Sequence, residues 1–384
     1  MDRKQVIIAF LAYFLMTSVY NIYFLFGPVY ETMGGTATEI GLFFSAFYMM
    51  MLICSPLGSS VMERFNIKLS MIGSGVLCTL STILLVLFID SPVAMIISRV
   101  IMGVAASIYI VAVLAAQSLI FDEESRGLGF ALFTTGSMLP LATFLPLCEW
   151  FIRKGSIAAF LWTPVVLAAL CVILGIVIKN VDYKKSGSEE DEEWGRYRDL
   201  FAHGAFIVLI TTAFIMGTAD AMTISIAALS AEKLVPASFF MVAEAISSVG
   251  IRTLGYRLIS RFPRTLLAAV SAGIMGASLL ALSFSSSPIA FAVFGFTFGI
   301  GIGIGFPTHL SLVGDIIPRK FYPKATGMVV LMINVGWTLT PMIYSSLCTP
   351  LGVSGTFRAV GALVLAIAVL LEIKFWIPIT NRRR

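Results

Sequence analysis

Long apolar stretches, separated by short polar segments, follow one another along almost the whole chain. An α-helix needs about 20 apolar residues to cross the hydrocarbon core of a bilayer, whereas strands of soluble proteins are only about 4–8 residues long. The pattern therefore predicts an all-α integral membrane protein with twelve transmembrane helices. These predicted spans, numbered one to twelve in chain order, cover residues 5–27, 39–61, 69–89, 93–119, 129–148, 157–178, 203–229, 237–259, 264–284, 289–315, 325–348 and 356–378.

The composition supports a membrane protein and argues against other classes. Hydrophobic residues make up 58% of the 384 positions and charged residues 12%, with a mean hydropathy of +0.96. In soluble domains about a quarter of the residues are charged. The five cysteines stand singly in apolar stretches, and neither they nor the two histidines show a metal-site spacing. We expect no enzyme activity, no cofactor and no bound metal.

Lys and Arg concentrate on one side of the predicted spans. If the N-terminus is cytoplasmic, 19 of the 26 basic residues fall in inside segments, and the outer loops hold only Arg153, Lys154 and Lys233. Cytoplasmic loops of membrane proteins carry such an excess of basic residues. The sequence therefore predicts a multi-pass protein of the cell membrane with both termini cytoplasmic. The net charge of +5 then reflects orientation and does not indicate nucleic-acid binding.

Two sequence matches relate the first six spans to the last six. Gly58 and Gly255, 197 residues apart, are each followed after five residues by Arg-Phe. Arg126-Gly-Leu-Gly129 corresponds to Lys324-Ala-Thr-Gly327 at an offset of 198. An even number of spans per half gives a parallel repeat, related by an axis along the membrane normal. We predict two pseudo-symmetric six-helix bundles, 1–178 and 203–384, joined by a cytoplasmic linker at 179–202.

The linker combines a charge run with an aromatic motif. Five consecutive acidic residues end at Glu193 and would keep this part hydrated and flexible. Aromatic and apolar residues then recur at about helical spacing beside two arginines, which predicts a short interfacial helix that contains Trp194, Tyr197, Leu200 and Phe201.

The twelve-span layout and the loop after span two resemble the major facilitator superfamily. That family's loop motif reads Gly-x-Leu-x-Asp-Arg-x-Gly-Arg-Arg, and the stretch here is Ser59-Ser-Val-Met-Glu63-Arg64-Phe-Asn66-Ile-Lys68. Asn66 stands where the family has its second Gly, and Asn tolerates the left-handed conformation of a tight turn. In the family this loop closes the cytoplasmic side, so the resemblance implies a gate formed by Glu63, Arg64 and Lys68, with Arg261 in the second half.

Arg99 and Gly103 in span four resemble the family's Arg-x-x-x-Gly motif, which is common in proton-coupled members. An arginine inside a span costs a few kcal/mol or more, which favours a role in proton coupling. Because Arg99 is near the predicted outer end, snorkelling to the headgroups is the open alternative. The antiporter motif of span five is not matched; Gly136 and Pro140 form the nearest stretch.

Two acidic residues lie inside adjacent predicted spans. Asp220 in span seven and Glu244 in span eight differ in depth by under one turn, and Arg252 follows two turns after Glu244. Burial in a low dielectric favours the protonated form of a carboxyl group, so both acids are candidate proton carriers. A static charge cluster with Arg252 is the alternative.

Span ten contributes further candidates. His309 would suit proton transfer, and would equally suit a hydrogen bond between helices. Gly295, Gly299 and Gly303 recur every four residues and predict close helix packing rather than a nucleotide loop. In the family, spans one, four, seven and ten line the cavity; the candidate substrate contacts are Tyr20 and Asn21 of span one, and Asn334 and Trp337 of span eleven.

Together these features favour a secondary active transporter that works by alternating access around a site between its two halves. Its leading form is an antiporter for proton-coupled efflux of a small organic molecule such as a drug, metabolite or metallophore. Proton-coupled import, facilitated diffusion and, from another class, a non-transporting receptor or scaffold remain open. The expected partners are a small-molecule substrate, protons and the lipid bilayer, and we expect a monomer. The charged residues do not fix the charge of the substrate.

Overall fold

The protein is all-helical, as the apolar pattern predicts. A computed structural model describes residues 3–55, 57–120, 135–179, 196–254 and 261–381. The chain forms two compact units, residues 1–187 and 188–384. The acidic run, Trp194, Arg126 and residues 255–260 lie outside the described residues.

The first unit contains spans one to six. Its helices are Arg3–Asn21, the 3-10 turn Ile22–Leu25, Phe26–Thr32, Ala37–Cys54, Leu57–Leu87, Pro92–Ile120, 135–142, Phe144–Arg153 and Ile157–Val177. The helix Leu57–Leu87 is broken at Asn66, where the backbone leaves the helical region. Spans two and three therefore meet at this residue.

The second unit repeats the arrangement. Its helices are Tyr197–Phe201, Gly204–Ala221, the 3-10 turn Met222–Ser225, Ile226–Lys233, Ser238–Thr253, Arg264–Leu282, Pro288–Ile316, the 3-10 turn Arg319–Phe321, Tyr322–Leu371, the π-helix Glu372–Trp376 and Ile377–Asn381. Tyr322–Leu371 is broken at Gly352, with φ 69°, which separates spans eleven and twelve.

The described residues account for the predicted spans once these breaks are counted. Nine of their helices are long and apolar enough to cross a membrane, and one of the nine, Lys324–Asn381, contains both spans eleven and twelve. Span five appears as two shorter helices, 135–142 and Phe144–Arg153, and span eight as Ser238–Thr253 before the chain leaves the described part. Large apolar side chains are widely exposed on the helix surfaces, as lipid contact requires.

Local sequence explains where several helices begin. Span two starts with a capping box in which the Thr36 hydroxyl accepts from Glu39 N at 3.3 Å and the Glu39 carboxylate accepts from Thr36 N at 2.9 Å. Span ten starts with Ser287 capping Ala290 N at 3.1 Å and with Pro288 in the first turn. Proline suits this position because its missing N–H would have no helical partner there.

Spans one and seven each contain a 3-10 turn at corresponding positions, Ile22–Leu25 and Met222–Ser225. After the turn, each resumes as an α-helix to Thr32 and Lys233. The predicted ends at residues 27 and 229 are therefore too early by about one turn. A short helix, Tyr197–Phe201, lies where the sequence predicts an interfacial helix, with Leu200 buried and Tyr197 exposed.

Candidate functional site

Arg99 of span four is buried among aromatic rings of the first unit. Its side chain is 1% exposed, and the guanidinium carbon lies 4.4–5.8 Å from the centroids of four rings, those of Tyr23, Phe43, Phe44 and Phe47. Its Nε donates to the Phe43 carbonyl at 3.4 Å, and its Nη1 to the Met102 sulfur at 3.0 Å. No described carboxylate lies within salt-bridge distance of it. Aromatic faces and these two acceptors therefore stabilise its charge.

This environment excludes one interpretation of Arg99. Snorkelling would place the guanidinium at an exposed end of the helix, whereas the structure buries it. The open alternative from the sequence is therefore wrong, because the rings of spans one and two enclose the side chain before it can reach the surface.

Tyr20 and Asn21 lie just before the 3-10 turn of span one. The Tyr20 ring packs on Phe47, with centroids 5.2 Å apart. Asn21 Nδ2 donates to the carbonyl of Ser137 at 3.5 Å, which links span one to span five. Tyr20 therefore borders the aromatic group around Arg99, while Asn21 faces a different helix.

Asp220 occupies the matching place in span seven, just before the second 3-10 turn. Trp337 of span eleven donates its indole N–H to Asp220 Oδ2 at 3.0 Å. The two helices cross closely here, because a Cβ added to Gly336 would lie 2.6 Å from the carbonyl carbon of Gly217. Asn334 is half-buried one turn before Trp337. The second unit thus brings Asp220 and Trp337 together.

Glu244 of span eight is 2% exposed, and its Oε2 has no hydrogen-bond partner among the described residues. The charge of Asp220 acts on Glu244, and the charge of Arg252 acts on Asp220, so the three groups form one electrostatic cluster. One turn after Glu244, the fully buried hydroxyl of Ser248 also has no partner among the described residues. A buried polar atom without a partner costs about 1–3 kcal/mol, so this cluster is suited to take up a ligand.

The glycine row of span ten lies directly against span eight. A Cβ at Gly295 would overlap the backbone of Phe240, and one at Gly299 would overlap the backbone of Glu244. At Gly303 it would lie 3.1 Å from the carbonyl of Ser248. The predicted close packing is confirmed, and it holds the backbone of Glu244 in a fixed position.

His309 is buried but lies apart from the acids. Its Nδ1 is 2.7 Å from the Gly305 carbonyl one turn earlier, and its Nε2 has no partner among the described residues. It follows Gly299 by ten residues, about 15 Å along the helix. Gly305 itself packs against Met216 and Ser271, so His309 belongs to a different layer from Glu244.

The loop between spans two and three contains the predicted gate residues. Asn66 has φ 58°, its Oδ1 accepts from Leu69 N at 2.9 Å, and it ends one helix and caps the next. The predicted left-handed turn is thus confirmed. Arg64 is exposed beside Phe65, and Lys68 is half-buried. The side chain of Glu63 lies outside the described part, and Arg261 is exposed.

Sequence reasoning missed three features of the second unit: an ion pair, a buried acid and a buried hydroxyl. Arg264 binds both carboxylate oxygens of Asp315, at 2.9 and 3.0 Å, and links spans nine and ten. Glu372 lies in the π-helix of span twelve, with both carboxylate oxygens buried and without a partner among the described residues. Ser248 could have been found from its four-residue spacing to Glu244, because side chains at i and i+4 share a helix face.

Comparisons with known proteins agree with this architecture. The sequence profile of the Major Facilitator Superfamily matches residues 6–255 and 236–384. A mutant of the nucleoside transporter NupG superposes with a TM-score of 0.80 at 13% identity, over 97% of this chain and 98% of the other. A POT family transporter in complex with 5-aminolevulinic acid gives 0.76 at 12% identity over 96% of both chains. A mutant of the peptide transporter POT in complex with sulfate gives 0.77 at 14%, over 96% and 94%. A search of curated protein sequences gave no match.

Proposed function

The chain belongs to the Major Facilitator Superfamily, and on that premise we propose that it is a proton-coupled antiporter that exports a small organic molecule by alternating access. The observation that carries this proposal is the buried Glu244, whose Oε2 has no hydrogen-bond partner among the described residues, beside the electrostatic interactions of Asp220 with Glu244 and with Arg252. The similar folds of a nucleoside transporter and a peptide transporter support a small polar organic molecule as the cargo class.

A buried carboxylate without a cation is tolerated when a proton neutralises it. If the site is exposed first to one side of the membrane and then to the other, the proton is taken up and released on opposite sides. Two acids of like charge close together strengthen this behaviour, since both cannot be ionised at low cost. Asp220 and Glu244 are therefore the proposed proton carriers, and Arg252 limits how much negative charge they hold together.

We propose roles for the remaining site residues from the contacts that each of them makes. Trp337 orients Asp220 through the indole hydrogen bond, and Tyr20, Asn21 and Asn334 are proposed substrate contacts. Arg99 is proposed to fix the packing of spans one, two and four rather than to carry protons, because its partners are ring faces. His309 is proposed as a helix-packing group.

The proposal also includes the membrane arrangement. We propose a monomer in the cell membrane with both termini cytoplasmic. In this arrangement the loop that contains Glu63, Arg64 and Lys68, together with Arg261, forms the cytoplasmic gate. The exposed position of Arg64 and the turn at Asn66 support a loop whose charged side chains can engage and release partners.

The test is a flux screen with purified protein in liposomes under an imposed pH gradient, against metabolites, metallophores and drugs. Asp220→Asn and Glu244→Gln should each reduce gradient-driven flux by at least about 100-fold while substrate exchange without a gradient persists in part. Asp199→Asn, an acid-to-amide change at an exposed position, is the matched control. Gradient-driven flux that is unchanged in both site variants would refute the proton-carrier assignment.

A further inference from the structure

We infer that a basic surface at one end of the second unit binds the headgroups of anionic membrane lipids. The surface combines the short helix Tyr197–Phe201 and the residue before it with the segment 319–324, which joins spans ten and eleven. It lies within the second unit alone and has no part in the proposed proton coupling. Its basic residues are Arg196, Arg198, Arg319, Lys320 and Lys324.

Two contacts hold the short helix and the segment together. The Lys324 ammonium lies 5.1 Å from the centroid of the Tyr197 ring. The rings of His203 and Phe321 have their centroids 5.6 Å apart. Phe321 is 1% exposed and Leu200 is fully buried, so each side of this contact is anchored in the unit. Basic residues from two distant parts of the sequence therefore share one surface.

The charge of the basic surface is mostly positive. The two segments 196–201 and 319–324 contain five basic residues and one acid, Asp199. Asp315, four residues before Arg319, is bound through both carboxylate oxygens by Arg264, at 2.9 and 3.0 Å, so it does not neutralise the surface. Four of the five basic residues are exposed: Arg196, Arg198, Arg319 and Lys320.

The basic surface lies beside the ends of two membrane spans. The short helix ends three residues before Gly204, where span seven begins, and Ile316 ends span ten three residues before Arg319. Three residues reach at most about 11 Å, and the headgroup layer is about 5–7 Å thick. Both segments are therefore in or next to that layer. Tyr197 and Phe201 are 52% and 42% exposed there, and aromatic side chains favour this level of the bilayer.

An anionic lipid matches both the charge and the apolar part of this surface. Guanidinium and ammonium groups form charge-assisted hydrogen bonds with phosphate oxygens. Each basic residue close to a membrane strengthens the attraction to anionic lipid by about fivefold. A soluble phosphate would gain from the charge only, whereas a lipid also brings its acyl chains next to the exposed rings of Tyr197 and Phe201. The combination favours a lipid headgroup.

The experiment counts bound lipids on the full-length protein. Protein in detergent is titrated with dioleoyl phosphatidylglycerol, dioleoyl phosphatidylcholine and glycerophosphoglycerol, and the bound molecules are measured by native mass spectrometry. The first lipid has a net negative charge, the second has the same phosphate and chains but no net charge, and the third compound is the first headgroup without chains. Phosphatidylglycerol should bind at least about 10-fold more tightly than phosphatidylcholine. Glycerophosphoglycerol should not bind at the same concentrations.

Paired variants locate the lipid on the surface. Arg196→Gln with Arg198→Gln removes two charges of the helix side, and Arg319→Gln with Lys320→Gln removes two charges of the segment side. Each pair should lower the preference for phosphatidylglycerol by at least about fivefold, because the lipid phosphate loses nearby cations.

The matched control removes two charges elsewhere. Arg153 and Lys154 are exposed at the end of the helix Phe144–Arg153 in the first unit. Arg153→Gln with Lys154→Gln should leave the lipid preference unchanged. The acidic run before Arg196 is present in every protein compared, so differences between the variants do not depend on it.

Several results would overturn the inference. These are equal affinity for the two lipids, equally tight binding of glycerophosphoglycerol, a preference that either surface pair leaves intact, and an equal loss in the control pair. If a surface pair does not fold, wild type at different ionic strengths decides. Raising ammonium acetate from about 0.05 M to about 0.5 M should remove most of the preference, since exposed charges are screened. A preference that persists at high ionic strength would overturn the inference.

The lipid inference and the proposed function fail independently. Gradient-driven flux that is unchanged in Asp220→Asn and Glu244→Gln would contradict proton coupling and leave the lipid preference untouched. Full gradient-driven flux without any preference between the two lipids would overturn the lipid inference alone. The binding measurement also does not depend on which side of the membrane the basic surface faces.

Discussion

The same close helix crossing occurs in both units, but the side chains at the crossing differ in chemical type. In the first unit, a Cβ added to Gly103 of span four would overlap the carbonyl oxygen of Phe47 in span two. In the second unit, a Cβ added to Gly299 of span ten would overlap the carbonyl oxygen of Glu244 in span eight. The two crossings therefore correspond residue by residue. An aromatic ring stands in one half where a buried acid stands in the other.

The position one turn earlier shows the same contrast. Arg99 precedes Gly103 by four residues, and Gly295 precedes Gly299 by four. Arg99 is stabilised by the faces of surrounding rings, whereas Gly295 only allows span eight to approach. The first unit surrounds its buried positive charge with ring faces and two hydrogen-bond acceptors. In the second unit, the buried Glu244 Oε2 has no hydrogen-bond partner among the described residues. This contrast is the reason that the proposed proton carriers are those of the second unit.

The largest expected effect comes from blocking the crossings themselves. Gly103→Leu and Gly299→Leu should each cost more than about 3 kcal/mol, the upper part of the overpacking range, because the new side chain meets backbone that cannot move aside. Folded protein in detergent, measured by size-exclusion chromatography and thermal melting, should be nearly lost. Gly73→Leu and Gly250→Leu, where a Cβ meets no atom within 4 Å, should fold normally. If all four behave alike, the crossings are not close.

The next effect concerns the acid cluster. Trp337→Phe removes the indole donor to Asp220 and should cost about 1.5–3 kcal/mol of stability, as for hydrogen bonds to charged groups. Asp220→Asn keeps an acceptor oxygen for the indole, so it should cost much less in stability while abolishing gradient-driven flux. Denaturant titration of both variants in detergent checks this order. A Trp337→Phe variant as stable as wild type would mean that the hydrogen bond contributes nothing.

A somewhat smaller effect is expected in the aromatic cage of Arg99. A double-mutant cycle between Phe47→Leu and Arg99→Met should give a coupling energy of about 1–2 kcal/mol, since the cation–π contact is buried. The cycle with Phe44→Leu should give less, because that ring lies 5.8 Å from the guanidinium carbon instead of 4.4 Å. Melting curves of the single and double variants measure both. Equal coupling energies would show that proximity to the charge is not what matters.

Features that depend on a local sequence pattern could be predicted. Apolar length predicted the spans, four-residue spacing predicted the glycine face, and the substitution of Asn66 for Gly predicted the turn at φ 58°. Equal depth in adjacent spans predicts that Asp220 lies near Glu244. Each of these follows from helix geometry and from residues close in sequence.

Features that depend on several helices at once could not be predicted. The rings around Arg99 come from spans one and two, about 50 to 75 residues away in sequence. The 3-10 turns of spans one and seven cannot be recognised from hydropathy, because the residues in these turns are mostly apolar, like those of the α-helix around them. The absence of a described partner for Glu244 likewise depends on what neighbouring helices fail to offer.

The smallest expected effect concerns the loops that follow spans two and eight. Asn66 joins its helices with φ 58°, whereas Pro263, 197 residues later, starts Arg264–Leu282 with φ −63°. Asn66→Gly should change stability by less than about 0.5 kcal/mol, because glycine adopts positive φ freely and capping asparagine loses only a few tenths on this change. Asn66→Ala should cost about 1–2 kcal/mol, since alanine resists the left-handed region.

Pro263→Ala is the control for that loop comparison. Alanine adopts the φ of Pro263 without strain, so this variant should change stability as little as Asn66→Gly does. Thermal melting in detergent distinguishes the variants. If Asn66→Gly and Asn66→Ala are equally destabilising, the Oδ1 cap on Leu69 rather than the backbone conformation holds the turn. The loop between spans two and three would then depend on a side-chain hydrogen bond, whereas the loop before Arg264–Leu282 has a proline ring at the corresponding position.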